Sequence, residues 1–433
     1  MQNANDISRI SFKWNYLTPY KKAHEASMDV ETSSEIPQTP NETSTNSDDK
    51  RNKEYQAIIS KYGSNIQKFI GQNPSVQTPE QKMAELNTAK IEYVGVDFQD
   101  LEFNNVDLSQ YTEAFKRIKF NEKTFAKVSP EHLPDGFNPL EILEKGKTIG
   151  LGIDEAHNMG YTGKGVSYAI IDSGTLDSNG KQHNDIHFKE YNISKSADKS
   201  GLDHFHGRAV SYIAQEIAPN ADCYYYATHN GENMNEPVLD NLKAILEKNK
   251  SLPDNEKIRF VSMSMPLYGG EEAKEVVKEL EKQGVWVYYS GCPEDNQFGY
   301  LEKINPNGNI NDFDNFQIHI GGENMLYVNS GDRTVADWSS PTAYRHDCMA
   351  SKSWSVPVIA GYYTLACQAD SSMTKEKFLE LANKTAQVKE STKPIRVGEG
   401  DNSVQISRTT ETVPIKIIDI KALLQAIEKE KKA

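Results

Sequence analysis

The sequence predicts an α/β protein with a mostly parallel β-sheet, helices on both of its faces, and a small α/β region in front of it. Three observations carry this. From about residue 138, short apolar runs alternate with segments of helical periodicity. The runs are continuously apolar, as strands buried on two faces are. Residues 353–369 are apolar all round, as a helix buried on every side is.

The elements follow in order. VSYAII (166–171) reads as a buried strand, and 224–227, after Ala218-Pro219, as another. Over 237–248, Val238, Leu242, Ile245 and Leu246 share one helical face. A strand is expected at 258–265. Ala273, Val276, Val277 and Leu280 predict a helix over 271–282, and GVWVYY (284–289) a strand. After the buried helix come amphipathic helices at 374–387 and 419–430. In such sheets, chemistry sits beyond the carboxyl ends of the strands.

Composition narrows the function classes. The chain has 433 residues, with 48 Lys+Arg against 62 Asp+Glu and a net charge of -14. An acidic chain without a local basic patch repels phosphate backbones, so nucleic acid is excluded as a partner. No run of about 18 apolar residues exists to span a membrane. Cys223, Cys292, Cys348 and Cys367 show no CxxC pair and no metal-ligand spacing, which argues against a disulfide framework. The first 27 residues lack the apolar core of a cleavable signal peptide. The expected location is cytoplasmic, with export by a signal-independent route left open.

Three regions are expected. Residues 1–54 form a polar, largely disordered segment, since 31–54 contains one aliphatic residue, Ile36. Residues 55–135 form a small lobe, ending in a connector at 128–134 that contains Pro130 and Pro134. Residues 138–428 form the main domain. In the lobe, Ile58, Ile59, Tyr62, Ile66 and Ile70 approach helical spacing. Phe98, Phe103 and Leu108 stand five apart, similar to a pentapeptide repeat, with Leu86 and Ile91 hinting at the same period. Three clean repeats are too few for a stable coil stack, so strands and turns of a small α/β lobe are the expectation.

Three segments place chemistry-bearing residues just past strand ends. Asp172 closes the run 166–171 and is followed by Ser173-Gly174, a poor strand continuation but a suitable site carboxylate. His206-Gly207 opens the helical run 210–217. Asp203, His204 and His206 suggest a metal site only weakly, because no third cluster accompanies them. Ser353 stands at the start of the buried helix, where backbone N–H groups favour an anion. Singly, each fits a turn cap, a surface histidine or a helix N-cap.

Together these segments resemble the subtilisin-like serine protease family (subtilases, peptidase family S8). The run 161–174 is similar to GxTGxGVxVAIIDxG, and His183-Asn184-Asp185-Ile186 to HPDL. His206-Gly207 through Val210 resembles HGTxVA, 218–221 resembles VAPxA, and 261–265 resembles INMSLG. Residues 353–361 resemble SMAxPxVAG and 415–426 the closing GxVDAxxAL helix. The likeness runs over about residues 140–426, and it implies a subtilisin-like peptidase domain. It implies that Ser353 attacks the scissile carbonyl, that His206 carries the proton, and that Asp172 orients the imidazole. It implies that Ser264, Met265 and Pro266, with Tyr289, Ser290 and Gly291, pair with an extended polypeptide substrate. It also implies an intramolecular N-terminal inhibitory segment. No cofactor is required for the chemistry. Calcium is left open, since Asp185 holds a position where related enzymes use a ligand, but no complete oxygen cage is visible.

Two departures bear on activity. Cys292 takes the place of the family's oxyanion Asn, and a thiol is a weak donor; Asn296 is the alternative donor. Lys352 and Arg208 replace Thr residues beside Ser353 and His206. Those cations suit an acidic substrate, a substitute for the missing oxyanion donor, or a site released from catalytic constraint. The expected function is therefore a serine endopeptidase acting through an acyl-enzyme. A catalytically impaired subtilisin-like pseudoprotease that binds or regulates a partner is the alternative.

Overall fold

The apolar run that starts at Val166 becomes the middle strand of a parallel sheet. The computed structural model describes residues 96–99, 101–112, 114–177, 179–198, 205–229, 233–321, 324–348, 351–397 and 404–432, which belong to one unit, Met83–Ala433. Its strands are β1 (Val96–Asp97), β2 (Ile118–Asn121), β3 (Ser167–Ser173), β4 (Glu190–Ile193), β5 (Asp222–Thr228), β6 (Ile258–Pro266), β7 (Trp286–Ser290), β8 (Phe298–Lys303), β9 (Phe316–Ile320), β10 (Leu326–Asn329), β11 (Arg333–Ala336), β12 (Tyr344–Asp347), β13 (Gln387–Val397) and β14 (Val404–Ile417). Its α-helices are α1 (Pro139–Gly146), α2 (Ile153–Asn158), α3 (Phe205–Ile217), α4 (Asn235–Ser251), α5 (Gly270–Lys282), α6 (Lys352–Ala369), α7 (Lys375–Thr385) and α8 (Ile420–Lys432). The expected polar segment 1–54, the helix over 55–70, Leu86, Ile91, Asp203 and His204 lie outside the described residues.

The main sheet has the order β4-β5-β3-β6-β7, with every neighbouring pair parallel. Alternation along the strands sends side chains to two cores. Tyr168, Ile170 and Tyr225 join Ala209 and Ile213 of α3 and Val358 and Tyr362 of α6 on one face. Ala169, Ile171, Tyr224 and Tyr226 join Val238 and Leu242 of α4 and Val277 and Leu280 of α5 on the other. All seven residues of β3 are buried, which is why its sequence reads as a continuous apolar run. The fold is thus the expected α/β arrangement, a parallel sheet flanked by helices on both faces. None of its helices, among the described residues, is long and apolar enough to cross a membrane.

The boundary near residue 135 is not where the structure divides. The described part of the expected lobe, from residue 96, shares a sheet with elements far along the chain, in the order β1-β2-β12-β11. Strand β2 pairs antiparallel with β12, His346 opposite Phe120. Strands of two and four residues cannot hold a sheet alone, so they borrow partners from residues 333–347. The five-residue spacing has a physical meaning. Phe98, Phe103 and Leu108 are fully buried, and their segment runs parallel to 118–132 through Phe98 N to Lys119 O (2.8 Å) and Phe103 N to Thr124 O (2.9 Å). Phe120 and Phe125 continue the period on the second segment, and Phe125 stacks on Phe103 at 5.6 Å. Ile142 and Leu143 of α1 close this core.

A buried charged cluster ties this region to the rest. Glu302 Oε1 accepts from Arg117 Nη1 at 2.8 Å, and Oε2 contacts His319 Nδ1 at 2.6 Å. Burial alone would raise the Glu302 pKa, but the His319 hydrogen bond and the Arg117 charge outweigh it and hold the carboxyl far below its ordinary 4.5. A carboxyl depressed in this way stabilises the fold above the unfolded-state pKa and loses that contribution as pH falls. Glu302→Gln is therefore expected to cost about 3 kcal/mol at neutral pH, because it strands Arg117 in the interior. Melting temperatures measured from pH 7 to pH 3 should show the difference from wild type shrinking with acid.

Candidate active site

Asp172 stands at the carboxyl end of the central strand β3, opposite Ala227 of β5. It is 1 % exposed. Its Oδ1 accepts from Ser173 N at 2.8 Å and from Ser173 Oγ at 3.2 Å, and lies 2.8 Å from His206 Nδ1. Its Oδ2 has no hydrogen-bond partner among the described residues. A buried carboxylate of this kind is best offset by a neighbouring cation, which an imidazolium would provide.

His206 lies in the first turn of α3, with its side chain one-fifth exposed. The helix reaches the end of β3 because Gly207 carries no Cβ. A Cβ there would collide with the Ser173 carbonyl and the Tyr225 hydroxyl. In the space left free, Gly207 N donates to Ser173 Oγ at 2.9 Å, and Tyr225 donates to Ser173 O. Burial, and then the Asp172 charge, push the Tyr225 pKa far up, so the phenol keeps the proton it donates. A carboxylate at Nδ1 selects the tautomer with its proton there and leaves the Nε2 lone pair for chemistry.

Ser353 is the second residue of α6, and Ser351 is its N-cap, its Oγ accepting from Trp354 N at 3.4 Å. Trp354, next in the chain, stacks on the His206 ring at 5.3 Å and 27°. The structure so brings Asp172, His206 and the start of α6 to one end of the sheet. Ser353 Oγ itself makes a long contact, 3.5 Å, to Ser264 O.

Pro357 lies inside α6 and has no N–H for the carbonyl four residues earlier, which is that of Ser353. Ser264 Oγ supplies the missing donor at 2.8 Å. Ser264, expected to touch substrate, thereby also holds the backbone of Ser353. Ser264→Ala would leave that carbonyl unpaired. It is expected to cost about 1 kcal/mol of stability, seen as a lower melting temperature, and to lower kcat more than it changes KM.

The other expected substrate-binding residues line the ends of β6 and β7. The register there breaks between Met263↔Tyr289 and Pro266↔Ser290, leaving Ser264 and Met265 outside the regular ladder. Pro266 and Gly291 are exposed, and Met265, Tyr289 and Ser290 are half-buried. Asn296 is exposed on the loop after β7. Cys292 is not at the surface. It is 2 % exposed and belongs to the main apolar core, and burial pushes its thiol up to about 11. It is therefore a neutral, weak donor.

Neither departing cation stands as a lone charge open to an acidic substrate. Arg208 is fully buried, with Nε on Thr175 O (2.8 Å), Nη1 on Asp337 O (2.7 Å) and Ser340 O (3.1 Å), and Nη2 on Lys181 O (2.8 Å). It braces loops and does not reach an acidic substrate. Lys352 forms an ion pair with Asp295, a residue the sequence did not single out. An acidic residue three positions after Cys292 was the available signal.

Asp185, the position considered for calcium, accepts a hydrogen bond from Tyr344. No group of three or more metal-binding side chains occurs among the described residues. All four cysteines are free and buried.

No family model and no curated protein matches this chain. Among solved structures the chain is similar to one described as proteases from Pseudoalteromonas arctica, with 14% identity and a TM-score of 0.40, over 65% of this chain and 95% of that one.

Proposed function

We propose that the chain is a serine endopeptidase that cleaves extended polypeptides through Asp172, His206 and Ser353. Ser353 Oγ attacks the scissile carbonyl while His206 Nε2 takes its proton. The imidazolium is stabilised by the buried Asp172 carboxylate. His206 returns the proton to the leaving amine, and the amide bond breaks to give an acyl-enzyme. Water, activated by the same imidazole, attacks the ester and restores Ser353. These steps use only side chains, backbone N–H groups and water. The splayed ends of β6 and β7 offer main-chain groups for an extended substrate. The four unpaired thiols support a reducing, cytoplasmic setting.

The observation that carries the proposal is the 2.8 Å contact between Asp172 and His206 at the end of the central strand, with the imidazole stacked on the neighbour of Ser353. A fluorophosphonate probe tests it. Wild-type protein should be labelled at Ser353, and Ser353→Ala should not. A second reading, a pseudoprotease of the same fold that binds a partner, is favoured by the burial of Cys292 and by the contact of Ser353 Oγ with a carbonyl. Absence of labelling and of hydrolysis in folded wild-type protein would establish that reading instead.

A further inference from the structure

Charge development on the carbonyl oxygen needs donors that are already in place. The first is visible. Ser353 N–H is at the second position of α6, among the first N–H groups that a helix leaves without an acceptor inside itself, and it lies at the positive end of that helix. The second is missing from its expected place, since Cys292 carries a neutral thiol packed into the apolar core.

Lys352 offers a replacement. It is the residue immediately before Ser353 and the first of α6. Its ammonium is held by Asp295 Oδ2. Asp295 is 5 % exposed, and Lys352 is half-buried. The same carboxylate receives Gly291 N at 2.7 Å on Oδ2 and the Tyr288 hydroxyl at 3.2 Å on Oδ1. Burial, with the Asp295 charge after it, raises the Tyr288 pKa strongly, so that hydroxyl remains a donor. Three donors therefore surround Asp295. Its charge is neutralised locally, and the lysine is anchored across the loop 291–295 beside the nucleophile. An ammonium has three N–H donors, and the pair with Asp295 occupies one.

We propose that the Lys352 ammonium, positioned by Asp295, is the second oxyanion donor of this site and does the work of the amide absent at position 292. This rests on Ser353 being the nucleophile. As Ser353 Oγ bonds to the carbonyl carbon, the C=O pair moves onto oxygen, and the resulting alkoxide lies between Ser353 N–H and the lysine N–H. No proton needs to transfer from the lysine. The positive charge interacts with oxygen more strongly in the tetrahedral state than in the ground state, so the gain appears in kcat.

The test uses the full chain with four proteins: wild type, Lys352→Met, Lys352→Arg and Asp295→Asn. Fluorophosphonate labelling, peptide hydrolysis and inhibition by a peptide boronic acid, which forms a tetrahedral anion on the serine, are measured with melting temperatures. Lys352→Met should lower kcat by about 10²-fold with KM nearly unchanged, and weaken boronate inhibition by a similar factor. Lys352→Arg should recover part of both. Asp295→Asn should give an intermediate loss, since the lysine remains but is no longer anchored. A labelled, folded Lys352→Met protein with wild-type kcat and boronate affinity would overturn the lysine assignment alone. A folded wild type that is neither labelled nor hydrolytic would overturn the peptidase reading and this inference with it. Loss of KM and kcat together, with a lowered melting temperature in Lys352→Met and no recovery in Lys352→Arg, would make the pair structural and overturn the oxyanion role.

Discussion

Single Ala substitutions at Ser353, His206 and Asp172 should each lower kcat/KM for peptide hydrolysis by about 10³-fold or more, and the triple substitution should add little. The reason is the shared proton path. Without Ser353 there is no acyl-enzyme. Without His206 the hydroxyl keeps its proton at neutral pH. Without Asp172 the Nδ1 proton loses the acceptor that lies 2.8 Å away, and the imidazolium loses its counter-charge. Asp172→Asn is the sharper variant, because it keeps the volume of a fully buried side chain while offering an N–H toward Nδ1. That favours the tautomer with its proton on Nε2, which cannot accept from Ser353. Steady-state kinetics across these variants checks this, with melting temperatures confirming that each is folded. Wild-type hydrolysis by Ser353→Ala would remove the nucleophile assignment.

Arg208→Met should destabilise the protein by about 4 kcal/mol, lowering the melting temperature by roughly 5 °C. The guanidinium donates to the carbonyls of Thr175, Lys181, Asp337 and Ser340, all in segments with no regular structure of their own. Removing it leaves the buried carbonyls of Thr175 and Asp337 without that donor and the part-buried ones of Lys181 and Ser340 without theirs, and a methionine of similar volume cannot supply one. Arg208→Lys should rescue little, because one ammonium on a flexible stem cannot span acceptors that a planar fork reaches in several directions. Activity should fall too, since Arg208 lies two residues after His206 and ties α3 to the loop that leaves Asp172. Thermal unfolding and kcat measured on the same preparations check both parts. A melting temperature unchanged in Arg208→Met would show that the buried guanidinium carries no net stabilisation.

Much of this was legible in the chain itself, for a definite reason. A strand buried on both faces must be apolar throughout, so 166–171 announced β3, and the first polar residue after it, Asp172, marked the carboxyl end of the sheet. The helices at 237–248, 271–282 and 353–369 were visible because burial of one face or of all faces imposes its period on the sequence. A common site for Asp172, His206 and Ser353 was implied only by the resemblance of their segments, taken together, to a known family. Local pattern could not give partners distant in sequence. Arg208 reads as a cation available to a substrate until the fold closes the carbonyls of Asp337 and Ser340 around it. Lys352 reads the same way until α6 brings it to Asp295, 57 positions away. Residues 55–135 read as a separate lobe because β2, in the lobe's described part, is too short to show whose edge it needs, and the answer, β12, lies more than 200 residues on. Periodicity and polarity are set by what a residue faces, so they are written in the neighbouring sequence. Pairing of charges and sheet edges depends on which surfaces meet, and only the folded chain decides that.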